Sequence, residues 1–193
     1  MTWQILDKPR MLRIISAVKA NGLGNLFDPA TTEARVRTLP FYRNIKLYRL
    51  TNYATLPAFS LFYLGDDENY TYLDGGFEGI RFYNTEQNLI LNKETILPYL
   101  DFYFIFVAMD AGEIGILGAR DQYHILEEFP SETEVKFDAE RGLFLIKIPL
   151  YFDGSLMIGS IEITSDGVVT ITDTKMSMQA QGRQALYETT TDY

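Results

Sequence analysis

The chain of 193 residues contains no cysteine and one histidine. Without cysteine there are no disulfides, thiolate metal sites or cysteine nucleophiles, and a reducing compartment is favoured. A single histidine, His124, cannot build a histidine-rich metal site, and no HExxH pattern occurs. No GxSxG elbow offers a serine nucleophile. Gly22-Leu23-Gly24 matches neither the dinucleotide-binding nor the P-loop pattern. Basic charge is scarce: 17 Lys and Arg face 26 Asp and Glu, for a net charge of -9. A surface that acidic repels phosphate backbones and argues against nucleic acid. Long apolar runs are missing too. Phe102–Met109 falls far short of the ~20 residues a bilayer needs. Basic residues in Trp3–Asn21 are followed by no uninterrupted apolar stretch, so no secretory signal is expected. These absences predict a soluble, cytoplasmic protein with no resident cofactor.

Apolar and aromatic residues are plentiful. Hydrophobic residues make up 47%, with thirteen Tyr and thirteen Phe, enough for a core built on aromatic rings. Asn92–Met109 is the most apolar stretch and reads as a helix. Either Asn92 or Thr95 can cap it; from Thr95, Pro98 falls in the first turn, where it removes no intrahelical bond. Ile96, Leu100, Tyr103, Phe104 and Val107 form one face, and Tyr99, Phe102 and Phe106 a second, so the helix is expected to be buried on two sides. Gly112 stops it. The β-rich composition of Phe102–Val107 leaves a strand as the alternative for that part.

Upstream, Asp7 caps a helix expected from Lys8 to Asn21, with Pro9 in its first turn, Gly22 as its stop, and Met11, Leu12, Ile15 and Val18 as its apolar stripe. Its other face is basic. Gly22–Asn44 lacks clear periodicity and reads as a linker. Strands follow at 45–50, 58–64, 70–73 and 79–84, the last after an Asp74-Gly75-Gly76 turn. Beyond the helix, strands are expected at 112–117, 122–129, 133–138, 143–150, 155–163 and 168–174. Val135 and Phe137 point inward, Phe144, Ile146, Ile148 and Leu150 share a face, and Gly159 suggests a bulge or bend. Asp153-Gly154 and Asp166-Gly167 are hairpin turns. The class is α+β: a curved, mainly antiparallel sheet of about eight to ten strands packed around one central aromatic helix, with an N-terminal amphipathic helix. Residues 1–44 are the helix and linker, 45–178 a single α+β domain, and 179–193 a mobile polar tail.

YLDFYFIFVAMDAGEIGIL (99–117) and IPLYFDGSLMIGSIEITSDGVVTITD (148–173) resemble an uncharacterised bacterial family with a YLxFFxFFV-type helix and a PLYxDG…EVTPDGxV-type closing meander. The likeness covers roughly Ile45 to Asp173. It implies a bacterial, soluble protein and carries no activity and no catalytic residue.

Among ionisable residues, Asp101 interrupts the aromatic helix; facing a pocket, it would have a raised pKa and serve as an acid or base. His124, between Tyr123 and Ile125, is the other catalytic candidate. Arg81 and Arg49 could fork onto a ligand carboxylate, with Tyr99 and Tyr103 as aromatic contacts. Asp66, Asp67 and Glu68 lie at successive positions, unlike the alternating ligands of a calcium loop, and read as a solvated turn. The expected function is non-catalytic: binding of a small apolar or aromatic ligand, or of a protein partner, including a second copy of the chain as a homodimer. The alternative is an enzyme with a carboxylate and tyrosine pocket under the central helix.

Overall fold

The computed structural model describes residues 2–19, 26–84, 89–109, 112, 114–117, 133–152 and 155–179. It is α+β, with ten described strands in two open antiparallel sheets of five rather than one sheet of eight to ten. The chain divides into two compact units, Met1–Pro98 and Tyr99–Tyr193.

The first unit is a meander, β1 (Gln4–Ile5), β2 (Thr32–Thr38), β3 (Lys46–Asn52), β4 (Phe59–Gly65) and β5 (Tyr70–Tyr72), paired in sequence order. Its first helix, α1 (Lys8–Val18), starts where Asp7 accepts a hydrogen bond from the Arg10 N–H at 2.9 Å, with Pro9 in the first turn. Such a cap contributes about 1 kcal/mol. The buried face of α1 is Met11, Ile14, Ile15 and Val18. Ile14 takes the place expected of Leu12, which is exposed; 11, 14, 15 and 18 complete one helical stripe and 12 lies off it. This stripe packs on the sheet face that carries Ala34, Tyr48, Leu50 and Tyr63. Each such side chain fully buried contributes about 1.5–3 kcal/mol.

Thr32–Thr38 lies inside the segment read as a linker, yet forms β2, with Ala34 opposite Leu50 and Val36 opposite Tyr48. Residues 79–84, read as a strand, belong largely to a short helix, α2 (Glu78–Tyr83). Helical spacing buries Ile80 and Tyr83 together. The Tyr83 hydroxyl donates to the Leu64 carbonyl at 3.2 Å and accepts from Thr71 at 3.3 Å, tying α2 to β4 and β5.

Helix α3 (Ile96–Phe106) carries the boundary between the units. The two proposed caps act as one device. Asn92 accepts from the Glu94 and Thr95 N–H groups at 2.8 and 3.1 Å, and Thr95 Oγ1 accepts from the Asn92 N–H at 2.9 Å. That is a reciprocal capping box. Phe102–Phe106 is helix, not strand, and both apolar faces contribute buried residues, Leu100 and Tyr103 from one, Tyr99 and Phe102 from the other.

In the second unit, β8 (Leu143–Phe152) pairs with β9 (Ser155–Thr164) along its length, and β9 with β10 (Val169–Gln179). The other edge of β8 takes β6 (Ile114–Ile116) at one end and β7 (Glu134–Asp138) at the other. Phe144, Ile146, Ile148 and Leu150 are buried as their alternation requires. Phe137 is 56% exposed instead of inward, its ring 4.9 Å from Phe144; among the described strands β7 pairs with β8 alone. Gly159 makes no bulge against β8, where Ile148 opposite it keeps register. It leaves room for the buried Leu150 side chain, which a Cβ would strike. The register shifts lie in β10, between Ile171 and Asp173 and between Met176 and Met178. At the Asp166-Gly167 hairpin Gly167 takes φ +83°, and its carbonyl accepts from the Tyr99 hydroxyl at 2.7 Å. The Asp153-Gly154 turn, the strand at 122–129 and all of the 179–193 tail but Gln179, which ends β10, lie outside the described residues.

Candidate functional site

A cavity in the first unit is built by three separate segments. On α1, burial of Ile14 sets Arg10 and Arg13, three residues apart, at the edge of the helix. On β3, Lys46 and Tyr48 alternate onto one sheet face. The third segment is the turn from β4 to β5. Asp66 fixes it by accepting from the Glu68 and Asn69 N–H groups at 3.0 and 2.7 Å. Asp67 then takes φ +79°, a conformation aspartate tolerates better than most residues. Its carboxylate accepts from Tyr48 Oη at 2.6 Å and from Lys46 Nζ. Tyr70 Oη donates to the Asp67 main-chain carbonyl at 2.9 Å, and the Tyr48 and Tyr70 rings meet edge to face at 5.0 Å.

These groups bound a cavity of about 270 Å³. A second, of about 110 Å³, adjoins it and shares Leu6, Arg10, Lys46 and Asp67. Together they fall at the small end of the range for ligand pockets. The lining carries Arg10, Arg13 and Lys46 against Asp67, three positive charges against one, a net of +2. The whole chain carries -9. Arg10 lies 4.0 Å from Asp7, both well exposed, a geometry that contributes little. Arg13 forms no ion pair among the described residues.

The Lys46 and Tyr48 hydrogen bonds hold the Asp67 carboxyl below the usual carboxylate range. Burial, then the bond to Asp67, pushes the Tyr48 phenol up. Burial and Asp67 raise Tyr70, while the Arg13 guanidinium pulls it the other way. A carboxyl whose pKa is depressed on folding stabilises the fold above its unfolded pKa, and that contribution is lost as pH falls through the folded value. Urea unfolding of Asp67→Asn is therefore expected to show a shallower loss of stability below the ordinary aspartate range than the parent. Equal acid limbs would remove Asp67 from the pH response.

Neither of the arginines singled out in the sequence, Arg49 and Arg81, lines this cavity. Arg49 is on β3, its guanidinium 5.1 Å from the centre of the Trp3 ring. Arg81 is on α2 rather than a strand, exposed and 3.7 Å from Glu78. Asp101 is half-buried on α3. Tyr99 and Tyr103 are brought together on α3 with ring centres 6.3 Å apart, and burial raises the Tyr103 phenol. His124 lies outside the described residues. The residues that line the cavity were legible only as a basic helix face and a polar turn.

No family model, no curated protein and no solved structure matches this chain. The likeness of residues 99–117 and 148–173 to a bacterial family thus rests on its motifs alone. Among the described residues, no three His, Cys, Asp or Glu side chains converge as metal ligands, and no helix is long and apolar enough to cross a membrane.

Proposed function

We propose that the chain is a non-catalytic binding protein that holds a small molecule in the cavity between α1, β3 and the β4–β5 turn. The carrying observation is the lining itself: Arg10, Arg13, Lys46, Asp67, Tyr48 and Tyr70 converge from three segments on one concave space. Charged groups around two tyrosine rings favour a ligand that is polar as well as flat or aliphatic over the small apolar or aromatic one expected from the sequence. The same groups are poorly tuned for proton transfer. Asp67 is held ionised and is a weak base, and both phenols are pushed away from neutral pH. The cysteine-free composition supports a reducing compartment, the cytoplasm, as its place of work.

Leu6 borders both cavities and is half-buried. Native mass spectrometry of the protein purified from its own cells is expected to show a bound small molecule that Leu6→Trp, by filling the space, removes. A parent chain that flies bare, or an adduct equally retained by Leu6→Trp, would overturn this assignment.

A further inference from the structure

We infer that the ligand of this cavity is a small dianion of the phosphate-monoester type, its phosphate set among Arg10, Arg13 and Lys46 and its organic part against Tyr48 and Tyr70. The inference rests on the cavity being a ligand site and names the chemistry that site would select.

The first argument is charge. The lining sums to +2 inside a chain of -9, and Asp7, 4.0 Å from the Arg10 guanidinium, offsets part of it; an anion compensates the remainder and a neutral molecule does not. Two nearby acids outside the lining keep their charge while hydrogen-bonded to main-chain N–H groups. Asp7 caps α1 through the Arg10 N–H. Asp66 is spent on the N–H groups of its own turn. The second argument is the kind of cation. Two of the three are arginines, whose planar forks match the oxygens of a phosphate or carboxylate, and Arg13 has no ion pair among the described residues. The third is that Asp67 already plays the anion. Its carboxylate takes the Lys46 ammonium and the Tyr48 hydroxyl, the same donors an incoming oxyanion would use. Asp67 sits on an exposed turn between two short-range anchors, so a doubly charged ligand competes for those donors or shares them. The fourth is size: about 270 Å³ suits a small phosphate ester.

The test uses the full chain with carbon-13-labelled tyrosine, titrated separately with phenyl phosphate, inorganic phosphate, benzoate and phenol at low salt. Phenyl phosphate is expected to shift two tyrosine ring signals, those lost in Tyr48→Phe and Tyr70→Phe. It should bind about tenfold or more tighter than phenol and weaken as salt is raised. Arg13→Gln and Lys46→Gln should each weaken it by about fivefold or more, with an unchanged circular dichroism spectrum showing that the variants fold. Inorganic phosphate should compete. Phenol binding as tightly as phenyl phosphate would leave a ligand site and overturn the dianion. Benzoate binding as tightly would do the same, replacing phosphate by carboxylate. Phosphate binding that ignores both Arg13→Gln and Lys46→Gln would place the anion elsewhere and overturn the assignment. No shift with any of the four up to about 10 mM would overturn both the dianion and the cavity as a small-molecule site.

Discussion

Tyr99→Ala is expected to destabilise the protein by about 3–5 kcal/mol, the range for removing a fully buried aromatic ring. Tyr99 has no exposed surface, and its hydroxyl donates to the buried carbonyl of Gly167 at 2.7 Å. The residue therefore does two things. Its ring fills the core, and its hydroxyl anchors the turn that joins β9 to β10, where Thr164 and Val168 close the hairpin. Tyr99→Phe separates them. It keeps the ring, strips the carbonyl of that donor, and is expected to cost about 1–3 kcal/mol. Urea unfolding of both variants decides the matter. A loss in Tyr99→Phe of only a few tenths of a kcal/mol would deny the hydroxyl its anchoring role.

Gly65→Ala should cost about 1–3 kcal/mol by overpacking, and should disable the cavity as well. A Cβ at Gly65 would run into the Asn69 main-chain oxygen and come within 2.8 Å of Tyr70 Cδ1. The Asn69 oxygen accepts from the Asp66 N–H at 3.3 Å, closing the turn that presents Asp67. Relief of the clash must move that turn, and with it the partner of Lys46 and Tyr48. Gly115→Ala is the matched control, since a Cβ there meets nothing within 4 Å among the described residues. It should change stability little, or raise it by a few tenths through a stiffer unfolded chain. If Gly65→Ala unfolds at the same urea concentration as Gly115→Ala, the close approach at Gly65 does not limit the fold.

Where the sequence was readable, local chemistry and tertiary packing agreed. The Asp166-Gly167 hairpin was written in a glycine able to take positive φ between two alternating strands. The α1 cap was written in Asp7 and Pro9. Strand β2 was also written, in Ala34 and Val36 alternating with Glu33, Arg35 and Arg37, but the turn residues on either side of it obscured the period. At α2 composition misled: Ile, Phe and Tyr favour strands, and only the spacing of Ile80 and Tyr83 favoured the helix that packing selected. The cavity had no such local signature. Arg10, Lys46 and Asp67 are tens of residues apart, and the fold alone brings them to one place. Its polar lining answers to no short motif.

Trp3 lies beside Arg37 and Arg49 and 6.3 Å from Phe62, all within Met1–Pro98, and the chain has no other tryptophan. Intrinsic tryptophan emission therefore follows the first unit alone, with two guanidinium groups as its immediate surroundings. Far-ultraviolet dichroism sums over both units. Overlaid melting curves from the two signals would mean that the units unfold as one cooperative body; a tryptophan transition displaced from the dichroism transition would time the first unit separately from the second.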